Sequence, residues 1–504
     1  MSETIVASLA GVARRQPGAT AIVWRRSACT FAQLTAASDG VRSSLASRRL
    51  ERGDRVAVLV RNSPHYAALY YGILSSGQCA VPLNAQERAA VLARQIEHCG
   101  ARVLIAERGH PEYQALAAAI AESNVELVPI GVDDEEGGIE RMIAELGGSE
   151  ASSKYFASEP GDLAALIYTS GTTGRPKGVM LSHGNLSANA GAIMSYLELS
   201  PKDRGLCVLP FHFSYGNSVL HSHLLAGATL VIEDNFAFPK MVVQRMQDDQ
   251  ITGFSGVPST FALMLGRCDL SEFRLPALRY FTQAGGAMPR PLIERVRAQA
   301  PGVQLFVMYG QTEATARLTY LPPHKLDERA GSVGIALPGI EIRVLDTTGA
   351  ELPAGEIGEV CARGPSIMLG YWNDAAATSE ALRGGWLHTG DLGHKDADGY
   401  LYIDGRAVEM IKVGAFRVSP QEVEEVLAAL PDVEEVAVTA ILDEILGQAV
   451  KAVVVPRAGS SLDMLAVKAH CRQHLAAYKV PKIVEFAAVL PRTSSGKIQR
   501  YKLA

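Results

Sequence analysis

The sequence contains no CxxC pair and no Cys/His cluster along the chain; its seven cysteines are scattered at 29, 79, 99, 207, 268, 361 and 471. Neither a disulfide framework nor a zinc site is indicated by that spacing. No apolar run approaches the roughly 18 residues needed to span a bilayer. The first residues, MSETIVASLAGVARRQPG, lack the apolar core of a signal peptide. Dense Lys/Arg tracts are missing too, and the formal net charge is −5. Neither nucleic acid nor an anionic membrane is therefore an expected partner. Internal repeats and low-complexity segments are absent. The compartment these absences imply is the cytoplasm.

What is present is a chain of 504 residues, 48% hydrophobic and 20% charged. That is ordinary globular composition, and it is too long for one hydrophobic core, so two or more domains are expected. The first half alternates the two periodicities. TFAQLTAASDGVRSSLASRRL (30–50) has helical apolar spacing, GDRVAVLV is a turn and buried strand, PHYAALYYGILSSG a helix, and CAVPLN a strand. VLARQIEHCG is a helix ended by glycine, and ARVLIAE follows as a strand. Such alternation predicts an α/β fold with parallel-type sheets covered by helices. From about 330 the pattern changes to short strands with glycine turns, a β-rich subdomain reaching to about 405. After DGRAV (404–408), the last hundred residues carry two helix and three strand patterns of their own, enough for a small α+β domain. The expected division is 1–405 and 406–504.

Residues 168–178 read YTSGTTGRPKG, between apolar LAALI (163–167) and VML (179–181). A loop that holds phosphate needs backbone N–H groups able to approach oxyanions, hydroxyl donors and a cation. Gly171, Gly174 and Gly178 supply the first, Thr169, Ser170, Thr172 and Thr173 the second, and Lys177 the third. A flexible surface loop is the plain alternative, but such linkers rarely join two buried strands. The loop is not of the type found in kinases and motor ATPases, which needs Gly-Lys followed by Ser or Thr and a helix. The only Gly-Lys, Gly496–Lys497, is followed by Ile498.

Together with AGGA (284–287), MYGQTEAT (308–315), GEVCARGPSIMLGYWN (358–373), WLHTGDLG (386–393), GYLYIDGR (399–406) and PRTSSGK (491–497), this loop resembles the acyl-adenylate-forming enzymes. That family comprises acyl-CoA synthetases, peptide-synthetase adenylation domains and luciferases. The resemblance covers nearly the whole chain. It implies that a carboxylate attacks the α-phosphate of ATP, giving acyl-AMP and pyrophosphate, and that a thiol then displaces AMP. Two anions must meet, so the site has to neutralise charge as it develops.

By the same resemblance the 170–178 loop wraps the β- and γ-phosphates, Thr312 contacts the α-phosphate and Glu313 holds Mg²⁺. Tyr309, followed by Gly310 and Gln311, stacks on adenine, with Gly285, Gly286 and Ala287 along its edge. Asp391 and Arg406 take the ribose, and Lys497 bridges the carboxylate and the nucleotide as the adenylation lysine. The small C-terminal domain is expected to be mobile. It would pivot at Val408, where Lys, Asp or Glu is usual, and turn the 412–417 loop (Lys412, Gly414, Ala415) inward for thioester formation. A β-branched valine at a hinge restricts the accessible backbone states.

The segment 209–234 is expected to line the acid pocket, with His212, Phe213, Ser214 and Asn217 on one side and Gly256, Val257 and Ala284 across. His212 stands where relatives that activate α-amino acids carry Asp. It offers no fixed negative charge for an ammonium group. Small residues at Ser214, Gly216 and Gly256 are expected to leave room for a ring or chain. His221 and His223, at i and i+2, do not share a helix face and are expected to be structural. The acid is aryl or aliphatic. The acceptor is coenzyme A or the phosphopantetheine arm of a carrier protein, with coenzyme A favoured. A non-catalytic nucleotide-binding relative is the remaining alternative.

Overall fold

The computed structural model describes residues 3–133, 137–147, 157–169, 177–406, 410–413, 416–443, 447–475, 477–492 and 498–503. Ser170, Gly171, Thr172, Thr173, Gly174, Val408, Gly414, Ala415 and Lys497 lie outside the described residues, as do the side chains of Arg406 and Lys412.

The strand–helix alternation builds two mixed sheets. In one, Arg55–Leu59, Cys79–Pro82, Val103–Glu107, Glu126–Ile130 and Leu163–Thr169 run parallel. Lys177–Ser182 and Gly370–Tyr371 extend its edge in antiparallel fashion. In the other, Thr20–Trp24, Thr229–Ile232, Arg204–Cys207, Gly253–Gly256, Tyr280–Gln283 and Gln304–Tyr309 run parallel. Thr319–Leu321 and Ser332–Ala336 carry this second sheet without a break into the β-rich stretch. There Leu401–Arg406, Trp386–Lys395, Gly358–Arg363 and Glu341–Leu345 pair antiparallel. The β-rich stretch is therefore hydrogen-bonded to the parallel sheet, so that the motifs at 284–287 and 308–315, at strand ends, and the strands of 386–406 belong to one sheet.

Between the two sheets lies the helix Pro64–Ser75, in contact with strands of both. Its start is set by Ser63, whose hydroxyl accepts from the Tyr66 amide, and by Pro64 in the first turn. Every residue from Pro64 to Leu74 is buried, as expected for a helix apolar on all sides. It approaches the helix Phe31–Ala46 through Gly72, where an added Cβ would stand 2.5 Å from Val41 Cβ and 2.8 Å from the Ser38 carbonyl. Gly72→Ala should accordingly cost about 1–3 kcal/mol through overpacking, read as a lower urea midpoint. An unchanged midpoint would mean that the two helices separate freely.

At the C-terminal end, Ile411–Val413, Phe416–Val418, Val433–Asp443, Gly447–Pro456 and Ile483–Phe486 form a sheet of their own. The helices Pro420–Ala428 and Met464–His474 lie against it, and Ile411, Val418, Val423, Leu427, Val438 and Val467 make up a separate core.

Candidate active site

The stretch that the sequence marks for phosphate is flanked by two strands that pair with each other. Leu163–Thr169 pairs antiparallel with Lys177–Ser182, in a register that sets Thr169 opposite Lys177 and Tyr168 opposite Gly178. Ala164 to Ile167 and Val179 are buried, which anchors both flanking strands in the core. The far strand of the hairpin ends at Ser182, which caps the helix His183–Leu197 in a reciprocal arrangement with Asn185. Gly370 and Tyr371 pair with Met180 and Val179 along the same strand. That pairing carries the Tyr371 hydroxyl to Glu313, where it donates to Oε1 at 2.8 Å. It also sets the Tyr371 ring 4.7 Å beneath the Lys177 ammonium. Lys177, Tyr371 and Glu313, far apart in sequence, thus meet beside the strand pair Leu163–Thr169 and Lys177–Ser182.

Glu313 sits in a one-turn 3₁₀ segment, Thr312–Ala314, that follows the strand Gln304–Tyr309. The next residue, Thr315, has φ 68° and ψ −54°, and the Ala316 amide donates to the Ala314 carbonyl at 2.8 Å. This is a γ-turn of the positive-φ type, which is rare and strained for a β-branched residue. Two hydrogen bonds hold it: Thr315 Oγ1 donates to the Ser366 carbonyl at 2.7 Å, and the Met368 amide donates to the Glu313 carbonyl at 2.9 Å. Gly310 is needed because a Cβ there would lie 2.1 Å from the Ala316 carbonyl. The Thr312 hydroxyl lies 3.1 Å from Ser214 Oγ, joining this turn to the segment expected to line the acid pocket.

On the same sheet the Tyr309 hydroxyl donates to Asp391 Oδ2 at 2.6 Å. Asp391 is buried and is the cross-strand register partner of Arg406. Its own amide donates to Thr389 Oγ1 at 3.1 Å, and that hydroxyl donates to the Val360 carbonyl at 2.7 Å. Of the three residues assigned to adenine and ribose, Asp391 and Arg406 are register neighbours, and Tyr309 reaches Asp391 through its hydroxyl from a strand further along the same sheet. Gly285, Gly286 and Ala287 are exposed on the turn after Tyr280–Gln283, with Gly285 at φ 86°. Gln283 Nε2 donates to the Gly286 carbonyl at 2.7 Å and so holds that turn.

In the acid segment, burial pushes the His212 imidazole down to about 3, so it is neutral at working pH. Its ring lies 4.2 Å from that of Phe213. Ser214 opens the helix Ser214–Ala226. Asn217 is buried, with Oδ1 accepting from the Tyr70 hydroxyl at 3.4 Å. Val257 touches the position a Cβ on Gly285 would take, at 3.2 Å. Ala284 is buried in a cluster with Phe306 and Met308.

The small residues are small for reasons the sequence did not reveal. A Cβ on Gly216 would stand 2.2 Å from the Pro210 carbonyl. Gly216 therefore permits a backbone contact and does not open space for substrate. A Cβ on Gly256 would come within 3.1 Å of Phe261 and Thr260. His221 and His223 are buried as expected; Nδ1 of His221 lies 2.7 Å from the Tyr71 hydroxyl and Nε2 of His223 lies 3.0 Å from that of Tyr280. One grouping of metal-ligating type occurs among the described residues, Glu359, Cys361 and His388. It is brought together across strands and is invisible to linear spacing. The Arg383 guanidinium already lies 2.8 Å from His388 Nδ1 there, and burial with Glu359 nearby pushes the Cys361 thiol up to about 12.

Sequence reasoning did not single out Tyr371, Thr315, Ser366 or Arg317. Tyr371 lies in a quoted motif, but its partner Glu313 is 58 positions away. Thr315 has no composition signal, because its conformation is one that residue type ordinarily avoids.

Comparisons with known proteins show the family. Residues 9–372 match the AMP-binding enzyme family and residues 422–497 its C-terminal domain. An indoleacetate–CoA ligase of Aromatoleum aromaticum is 40% identical over 336 residues, 66% of this chain and 65% of that protein. A feruloyl-CoA synthase of Amycolatopsis sp. is 34% identical over 487 residues, 96% of this chain and 95% of that protein. Among solved structures, ATP-bound MatB from Rhodopseudomonas palustris superposes with a TM-score of 0.92 at 31% identity, covering 100% of this chain and 98% of that one. O-succinylbenzoate CoA synthetase from Bacillus subtilis, solved with its acyl-adenylate, gives 0.88 at 28% identity with coverage of 100% and 98%. The chain belongs to the AMP-binding, acyl-adenylate-forming family and is an AMP-forming acid–thiol ligase of the acyl-CoA synthetase type.

Proposed function

We propose that the protein activates an aryl or aliphatic carboxylic acid as its acyl-AMP, releasing pyrophosphate, and transfers the acyl group to the thiol of coenzyme A. The observation that carries this reading is the meeting of Lys177, Tyr371 and Glu313 beside the strands that flank the glycine- and hydroxyl-rich stretch. A cation and a carboxylate at one phosphate loop suit a metal-bound triphosphate. Both candidate ribose positions, Asp391 and Arg406, stand on the neighbouring sheet.

In this reading the 170–178 loop, with Thr169 to Gly174 and Lys177, grips the β- and γ-phosphates. Thr312 donates to an oxygen of the α-phosphate. Glu313 offers a hard oxygen ligand, oriented by Tyr371, which fits Mg²⁺. The metal, when bound, neutralises phosphate charge as the pyrophosphate departs. Tyr309, Gly310, Gln311 and the 285–287 turn receive adenine, and Asp391 with Arg406 holds the ribose hydroxyls. Neutral His212 lies beside the attacking carboxylate, where it can donate a hydrogen bond without adding charge. Phe213, Ser214, Asn217, Gly256, Val257 and Ala284 surround the acid. Lys497 enters from the 406–504 domain, which pivots at Val408 and then presents Lys412, Gly414 and Ala415 for the second step. The 1–405 domain, with its β-rich part from about 330, keeps nucleotide and acid in place throughout.

The test is mass spectrometry of the products from ATP, Mg²⁺ and pooled aliphatic and aromatic acids, first without and then with coenzyme A. The expected result is an acyl-AMP mass that converts to a coenzyme A thioester. An adenylate that accumulates with coenzyme A but is consumed by a phosphopantetheinylated carrier protein would reassign the acceptor. No adenylate from any acid would refute the reaction.

A further inference from the structure

Arg317 is the largest charged side chain in the fully buried set, 2% exposed, and no carboxylate lies within ion-pair distance of it among the described residues. Its Nη1 donates to the Tyr196 hydroxyl at 2.5 Å, and its guanidinium carbon stands 5.2 Å from the centre of the Tyr215 ring. Nε is buried and has no hydrogen-bond partner. Neither phenol supplies a negative charge. Burial raises the Tyr196 hydroxyl above its ordinary range and pushes that of Tyr215 up to about 12. Asp203 is engaged by Arg279 at 2.7 Å and by the Thr252 hydroxyl at 2.8 Å. A guanidinium does not lose its proton, so an uncompensated cation is held in the interior at a cost that proteins seldom carry without return.

Its location indicates what returns that cost. Arg317 lies five residues beyond Thr312, and the backbone at Ala316–Arg317 is pressed against Gly310. Tyr215, over which the guanidinium lies, directly follows Ser214, whose hydroxyl touches Thr312. The cation is thus enclosed by the two segments that meet at the acid site.

We infer that Arg317 is the counter-ion for a second acidic group on the substrate, so that the acid this enzyme activates is a dicarboxylic or comparably dianionic acid. The inference rests on the ligase reading above and adds to it a specificity-determining residue. One carboxylate reacts with ATP, and the other is bound unchanged by the guanidinium, which matches a planar carboxylate through two parallel N–H donors.

The test compares matched acids differing only in the second charge: glutarate against monomethyl glutarate, and 2-carboxyphenylacetate against phenylacetate. Pyrophosphate release is measured for the wild type and for Arg317→Met, with a melting curve for each. The wild type should favour the diacid of a pair, and Arg317→Met should reduce the diacid-to-monoacid ratio of kcat/KM on the order of 10²-fold, mainly through KM. Because Met replaces a buried unpaired charge with an apolar chain of similar length, Tm should stay level or rise. A wild type that uses both acids equally or favours monoacids overturns the inference. So does an Arg317→Met variant with an unchanged ratio and a lowered Tm, which would assign Arg317 a purely structural role. If no acid releases pyrophosphate, the ligase reading itself fails, and thermal protection then decides on Arg317. Diacids protecting the wild type but not Arg317→Met would support the anion site, and equal protection by mono- and diacids would overturn it.

Discussion

With Lys497 replaced by alanine, acyl-AMP formation is expected to fall on the order of 10³-fold while ATP still binds. The ammonium proposed to bridge the attacking carboxylate and the nucleotide stabilises charge that develops only as the new bond forms, so its loss should appear in kcat more than in the affinity for ATP. The substitution should not unfold the segment that carries it. On either side of residues 493–497, Arg492 and Ile498 form an antiparallel bridge, and the Gln499 amide donates to the Pro491 carbonyl at 2.8 Å. Arg492 is further tied to Glu435 at 2.6 Å. Those contacts do not involve Lys497. Supplying synthetic acyl-AMP and coenzyme A should therefore still give thioester, since that step bypasses the lysine. Single-turnover measurement of both half-reactions checks this. Equal losses in the two would mean that Lys497 serves general folding or binding, and an unimpaired first step would remove it from the mechanism.

The second large effect is on stability. Burial lowers His183 and His223 to about 4 and His212 and His221 to about 3, against an ordinary value of 6.5. The folded protein holds these rings neutral, while the unfolded chain takes up their protons once the pH drops below about 6.5. Their contribution is therefore complete above that pH and is lost progressively as pH falls toward 3–4. Each histidine adds a slope of up to about 1.4 kcal/mol per pH unit, so the four together reach on the order of 5 kcal/mol per unit near pH 5. The urea midpoint should fall steeply between pH 7 and pH 5, well before most carboxylates titrate. A midpoint constant over that interval would mean that these rings accept protons in the folded state. His221→Asn should make the decline shallower, since it removes one of the four proton-binding differences.

How far the sequence disclosed this architecture depends on how local the cause is. The hairpin around 170–176 was legible because two apolar runs flank glycines and hydroxyls, and both causes lie within twenty residues. The helix beginning after Ser419 was legible from cap and proline chemistry, and the one over Pro64–Ser75 was legible as a helical stretch whose serine cap the structure then shows. The continuity of the β-rich stretch with the parallel sheet was not, because it depends on strand pairings such as Tyr320 with Ile335, which no periodicity encodes. At the site, the motif residues could be named from the sequence, but Tyr371's hydrogen bond to Glu313 needed the fold. Arg317 was missed for a different reason: a charged residue is ordinarily read as surface, and burial without an ion pair runs against that rule. Gly216 was misread in the opposite sense. Its small size serves the backbone at Pro210, while the reading assigned it to the pocket.

The two-residue strand Gly370–Tyr371 has a consequence for how the chain must be made. It closes the open edge of the strand Lys177–Ser182, nearly two hundred residues after that strand has left the ribosome. Until then the hairpin presents unpaired amides and carbonyls of an apolar strand, a template for pairing with another chain. A fragment ending before residue 370 would keep that edge exposed indefinitely and should aggregate, whereas one reaching Trp372 also gains the amide of Trp372 on the Gly178 carbonyl at 2.8 Å. The point at which the first matched family region ends, residue 372, is thus the point at which nascent chain can first shield its own sheet.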